Sequence, residues 1–501
     1  MVNRRGYKKS GNARLFCFCN HVDLIVNTEI GEKQIYLYFY GSSSNQKSPM
    51  KKLFITFLFT TATFSSLFSQ KIIQRDPIIE SMVSEINLDS LKSHILKLVS
   101  FGTRSTLSST NTSDPKRGIA AARTWVLSRF QEFAKQSDGR MTAKIDSWTQ
   151  KADAKRVDVD VPMGNVIATL KGTDPTDDRV FLVSGHIDSR VSSVMNRTDD
   201  APGANDDGSG TAAVIELARI MAKAKFPATV VFLVVSGEEQ GLLGAEHFAN
   251  QAFEDKTNIE GILNNDIMGS NNSNETNIID NTRVRIFSEG LPIFEIEKKA
   301  PSIRSFGNEN DGKARTLARY TKEIGERYVD NLEVVMIYRN DRFLRGGDHT
   351  PFVQKGFPAV RITEMNENYE HQHHDVRNEK GIKYGDVAEA MDFEYLRKNT
   401  AMNLATLSNL AKAPSTVQNL TIDTKNLTNS TTLFWQTPKS GKVKGYYVLM
   451  RETYQPFWQK KIFTTKNGIV LPYSKDNYFF AVQAVGEDGN ESLPVFPKVG
   501  M

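Results

Sequence analysis

The residues best suited to chemistry in this chain are histidines and carboxylates that follow apolar runs. One tract, "YEHQHHDV" at Tyr369–Val376, puts His371, His373 and His374 within four residues of a chain with only eight histidines. Neutral imidazole is a common metal ligand, but short His-rich tracts are also ordinary polar loops, so the tract alone decides nothing. Other segments supply what it lacks. Apolar runs end in Gly185-His186-Ile187-Asp188, in Gly237-Glu238-Glu239 and in Asn264-Asn265-Asp266, and a Gly-rich loop carries Asp206 and Asp207. Carboxylates gathered on one rim repel one another unless cations neutralise them. Imidazole with Asp and Glu donors suits zinc at ~2.0–2.2 Å. Several carboxylates suit two metals about 3.5–4 Å apart, bridged by one of them. The unit His186-x-Asp188 fits a carboxylate that fixes an imidazole tautomer.

The elements that must carry these groups are legible from periodicity. From about residue 87 to 135 apolar positions recur at helical spacing. Residues 165–172, 179–189, 228–239 and 261–269 read as strands, and 209–224 and 241–253 as helices, with Ser209 available as an N-cap. The strands near 331–339 and 357–364 follow. Alternation of this kind predicts an α/β domain over 86–412 with a mostly parallel central sheet flanked by helices. Ligands in such sheets bind beyond the carboxyl ends of the strands, which is where the His, Asp and Glu residues stand. After about residue 412 the pattern changes to short strands with turn signals and no amphipathic helix. Residues 415–501 therefore predict a small all-β sandwich, with Trp435 and Tyr478 inside its strands.

Composition narrows the functional classes. Hydrophobic content of 39% and charged content of 24% are those of a globular protein. Of the formal net charge of +5, residues 1–49 carry +4 and Lys51 and Lys52 a further +2, leaving the main body near neutral. Nothing there calls for a nucleic-acid or anionic-membrane partner. The segment starting at Met50, "MKKLFITFLFTTATFSSLFSQ", has the basic start, short apolar run and small polar end of a secretory signal, with cleavage after Ser69. Residues 1–49 then read as a non-native upstream extension and 50–69 as the signal, so the mature chain is expected to be exported, to the periplasm or the medium. Both cysteines, Cys17 and Cys19, fall in that extension, which leaves the mature chain without disulfides. No second hydrophobic span occurs in the mature part.

The motifs "SGHIDS", "PGANDDGSG", "VSGEEQGLLGA", "LNNDIMG" and "GGDHTPF" occur in the order found in zinc aminopeptidases of the M28 family, which the chain resembles from roughly Leu88 to Leu410. The tail resembles a fibronectin type III module through its Trp strand, "GYYV" and "YFFAVQAV". The first resemblance implies two Zn2+ ions held by His186, Asp206, Glu239, Asp266 and a final His, with Asp206 shared between them. It implies Glu238 as the general base acting on water and peptide substrates with a free N-terminus; Asp188, by its spacing from His186, is expected to serve catalysis beside that ring. The family's last ligand is a His with an Asp four positions later. Asp375 follows His371 by four, so His371 is the expected ligand, with His373 in reserve. Asp348 and His349 of "GGDHTPF" are expected at the substrate pocket, although Asp348 equally suits a helix cap. Asp207 competes with Asp206 as a loop acid at a helix start. Alternatives on the same fold are a glutaminyl-cyclase-like or carboxypeptidase-like enzyme. A non-catalytic binding protein would be expected to have lost some of these positions.

Overall fold

In a computed structural model of the chain, residues 22–29, 32–39, 75–110, 114–153, 155–291, 301 and 303–499 are described. The expected signal segment, Cys17 and Cys19 lie outside them. Two compact units are present, Met1–Leu67 and Phe68–Met501. In the first, β1 (Val22–Glu29) pairs antiparallel with β2 (Glu32–Phe39).

The second unit is built on β6 (Thr229–Val235), whose sequence TVVFLVV is apolar at six of seven positions and buried from Val230 onward. Successive strand residues face opposite sides of a sheet, so a strand of this kind needs cover on both. Val230, Phe232 and Val234 enter one hydrophobic cluster, and Val231, Leu233 and Val235 enter another. Helices Leu88–Val99, Ile119–Ala134, Gly208–Met221, Lys313–Tyr328 and Phe393–Lys412 supply the first cluster, and Leu243–Glu254 and His349–Gln354 the second. The sheet has eight strands in the order β3-β4-β6-β5-β7-β10-β8-β9. Here β3 is Met141–Gln150, β4 Val161–Leu170, β5 Val180–His186, β7 Ile259–Asn265, β8 Arg283–Phe287, β9 Glu333–Ile337 and β10 Ala359–Glu364. The central run β6-β5-β7-β10 is parallel, and β3, β4 and β8 join antiparallel. This is the expected mostly parallel α/β sheet with helices on both faces.

One expected detail differs. Helix Gly208–Met221 is capped by Asp207, whose carboxylate accepts from Gly210 N at 2.8 Å, whereas Ser209 lies inside the first turn. Asp207 spends its other oxygen on His186 N at 2.9 Å, tying the helix start to the end of β5. That junction is tight. A Cβ on Gly185 would stand 2.6 Å from the Gly210 carbonyl carbon, and one on Gly210 would stand 2.5 Å from the Asn265 carbonyl oxygen.

Beyond residue 412 there are two small sheets. One has strands Gly468–Leu471, Thr431–Gln436, Gln418–Ile422 and Lys498–Val499, and the other Lys460–Thr464, Val443–Glu452 and Tyr478–Gly486. Leu433, Trp435, Val448 and Val482 share the cluster between them. No helix among the described residues is long and apolar enough to cross a membrane.

Candidate metal centre

The parallel strands end at a common edge, where β5, β6 and β7 deliver His186, the Glu238-Glu239 pair and Asp266. The loop before helix Gly208–Met221 adds Asp206. His186 Nε2 stands 3.2 Å from Asp206 Oδ1 and 3.8 Å from Asp266 Oδ1. On the other side of Asp206, Oδ2 is 2.9 Å from His373 Nε2, which is also 3.0 Å from Glu239 Oε1. Two three-residue groups, His186/Asp206/Asp266 and Asp206/Glu239/His373, thus share Asp206, and the donor atoms of each lie within 4.8 Å of one another.

The donors fit metal. His186 Nε2 and Glu239 Oε1 are buried without a hydrogen-bond partner, although each faces an oppositely polar group. Burial disfavours a charged His373, yet Glu239 and Asp206 hold its pKa up at about 10. Burial likewise opposes charge on His186, and Asp188 and Asp206 hold it well above the ordinary imidazole value. Asp206, buried between the two rings, is held well below the carboxylate range by them. A cluster that draws protons this strongly offers the same electron pairs to a divalent cation.

The surroundings fix these donors. His186 Nδ1 sits 3.1 Å from the Asp188 carbonyl oxygen, which orients the ring. The Asp188 carboxylate accepts from the backbone N–H of Gly237 at 2.9 Å, Glu238 at 3.3 Å and Glu239 at 3.0 Å, and so shapes the turn bearing both glutamates. Glu238 lines a cavity of about 400 Å³ with Asp206, Glu239, Asp266 and His373. Burial, reinforced by Glu239 and Asp266, raises its carboxyl well above the usual value despite His186. Asp266 Oδ2 is 3.0 Å from Nη2 of the fully buried Arg361, whose Nη1 donates to both Asp341 oxygens at 2.9 Å.

The Peptidase family M28 model matches residues 165–392. A probable zinc metalloprotease of Leptosphaeria maculans is 45% identical over 423 residues, covering 84% of this chain and 97% of that protein. The chain belongs to peptidase family M28. A probable zinc metalloprotease of Pyrenophora tritici-repentis is 44% identical, covering 85% of this chain and 88% of its own length. Among solved structures, the LapA aminopeptidase of Legionella pneumophila aligns with a TM-score of 0.48 at 16% identity, covering 68% of this chain and 76% of that one.

In this M28 peptidase the structure brings together His186, Asp206, Glu239 and Asp266 as expected, but places the final histidine differently. His373, not His371, turns into the group. His371 ends a short 3₁₀ turn, Tyr369–His371, with its Nδ1 unpartnered, and burial lowers its pKa. Among the described residues the Asp375 carboxylate makes no hydrogen bond to either ring; its Oδ1 accepts from Ser192 N at 3.3 Å, and its backbone N–H donates to Ser192 Oγ at 3.2 Å. The reason is local: His373 has φ 54°, a left-handed conformation that swings its side chain back toward the strand ends. His374 packs edge-on against Tyr384 at 5.1 Å. Asp348 and His349 do not line the cavity as expected of a substrate pocket. Both are buried behind it, with the Asp348 oxygens unpartnered and His349 Nε2 2.7 Å from the Asn340 carbonyl. Asp348 occupies the N-cap position of His349–Gln354 without making a cap bond.

Two supports had no signal in the spacing. Asp386 accepts from the backbone N–H of Asn205 at 2.9 Å and of Asp206 at 2.7 Å, gripping the loop that carries the shared carboxylate. The fully buried Arg104 donates to the carbonyls of Ile187, Pro202 and Gly203 at 2.5–2.7 Å, clamping that loop to the end of β5.

Proposed function

We propose that this peptidase is an exported, zinc-dependent aminopeptidase. The observation carrying this reading is the pair of His/Asp/Glu groups that share Asp206 beside Glu238. His186, Asp206 and Asp266 would hold one zinc, and Asp206, Glu239 and His373 the other. When bound, zinc supplies Lewis acidity that polarises a carbonyl and makes water a stronger nucleophile near neutral pH. Glu238, in the cavity but in neither group, takes the proton of the attacking water and returns it to the leaving amine. Asp188 acts through the turn: by holding three successive N–H groups it sets the separate directions of Glu238 and Glu239. The zinc metalloproteases of Leptosphaeria and Pyrenophora support the choice of metal. Export follows from the signal pattern at Met50, and the two small sheets around Trp435 support a fibronectin type III-like module.

The test is zinc-loaded protein from Gln70 onward with unblocked and N-acetylated aminoacyl anilides. Only the unblocked form should be cleaved, and Glu238→Gln should keep its zinc while losing about 10²–10⁴-fold in kcat, as expected for removal of a general base. Cyclisation of N-terminal Gln without hydrolysis, or full activity in Glu238→Gln, overturns the reading.

A further inference from the structure

The cavity beside Glu238 is lined by four guanidinium groups as well as four carboxylates, and the two sets have different occupations. Asp206, Glu239 and Asp266 belong to the metal-binding groups and Glu238 is the base. Of the arginines, Arg156 donates to the Glu239 carbonyl at 2.8 Å and braces the turn. Arg342 is engaged with Glu367 Oε2 at 2.6 Å and with Asp341. Arg190 uses Nε and Nη2 on the carbonyls of Val191 and Ser192, leaving Nη1 3.9 Å from Glu239 Oε2, beyond hydrogen-bond range. Arg345 is exposed on the cavity wall, and among the described residues its side chain makes no hydrogen bond or ion pair. The same residue also lines an adjoining cavity of about 510 Å³ with Arg285, Arg339 and Arg342. Once cations neutralise the carboxylates, the remaining field of the cleft is positive. A guanidinium fork matches a carboxylate with two parallel bonds.

We propose that Arg345, assisted by Arg190 Nη1, is a specificity-determining group that receives a carboxylate of the peptide substrate. The proposal rests on the reading of the cavity as the substrate site. That carboxylate is either an acidic side chain near the cleaved bond or the C-terminus of a short peptide. Leu242 and Leu344 on the same wall supply the apolar contact for the rest of the chain.

The experiment is calorimetric titration of zinc-loaded Glu238→Gln, which should bind without turnover, with three peptides of equal length. One is neutral and C-terminally amidated, one carries Glu at the second position, and one is neutral with a free C-terminus. At low salt at least one carboxylate peptide should bind about tenfold tighter than the neutral amide, the gain weakening with ionic strength as for any exposed pair. A gain confined to the Glu peptide identifies the side chain, and one confined to the free acid identifies the C-terminus. Adding Arg345→Gln should bring the affinity ratio toward one, with Arg345→Lys restoring part of it. Equal binding of all three peptides, or a ratio unchanged in Arg345→Gln, overturns the proposal. Cleavage of all three peptides by the wild-type enzyme is measured alongside: hydrolysis of none of them sinks the aminopeptidase reading, whereas hydrolysis with equal binding sinks only this inference.

Discussion

At the scale of single residues, the final histidine separates what spacing carries from what backbone conformation carries. A His with an Asp four places later pointed to His371, but a count along the chain contains no φ. The left-handed turn at His373 exchanges the roles of two rings two residues apart. Metal analysis checks the geometry directly. His373→Ala should retain about one zinc per chain and lose activity by more than the ~10–100-fold that even outer partners of a ligand are worth. His371→Ala should keep its full zinc content. The reverse pattern would return the ligand to His371. Asp386 and Arg104 were illegible for another reason. Each acts on backbone atoms of a distant loop, and such contacts leave no pattern in residue type.

At the scale of elements, the sheet was readable because burial on both faces demands unbroken apolar strands, and Thr229–Val235 is one. The edge strand Met141–Gln150 and the strand Arg283–Phe287 were not, because half-solvated strands with Lys, Asp and Arg at alternate positions resemble loops. The site depends most on the crowded junction of β5, β7 and the helix beginning at Gly208. Gly210→Ala would drive a methyl group to within 2.5 Å of the Asn265 carbonyl oxygen, and the backbone there has no slack. Overpacking of this kind typically costs about 1–3 kcal/mol. The strain would also shift Asp207 and with it the approach of His186 to Asp206. The expected result is a lower Tm together with weaker zinc retention. A lowered Tm with unchanged zinc affinity would show that the junction serves stability alone.

At the scale of the whole molecule, the C-terminal sheets are joined to the catalytic part through buried charge. Glu491 accepts from Arg327 Nη1 at 2.9 Å and Nη2 at 2.8 Å, its carbonyl accepts from Tyr320 at 2.6 Å, and it is fully buried. Arg451 donates to both oxygens of Asp311 at 2.6–2.7 Å. Burial works against a charged Glu491, but Arg327 and Lys461 outweigh it and depress its pKa below the ordinary 4.5. A depressed carboxylate stabilises the fold above its unfolded value, and that contribution is lost as pH falls through the folded value. Stability of the wild type should therefore fall below about pH 4.5 more steeply than that of Glu491→Gln. At pH 7 the variant should be less stable by about 1–3 kcal/mol, since Arg327 loses its charge-assisted bonds to Glu491 and keeps only Glu323, 3.1 Å from Nη2. Parallel acid-unfolding curves for the two proteins would remove Glu491 from this role.

The same junction has a consequence in time. Asp76, which caps helix Pro77–Ser84, also receives Lys412 Nζ at 2.5 Å and Asn490 Nδ2 at 3.2 Å. Asp76 and Asn490 are 414 residues apart. A chain made from its N-terminus has every residue of the metal centre in hand long before residue 490 emerges. The catalytic part must therefore wait, with this clasp unmade, until residue 490 has been added to the chain.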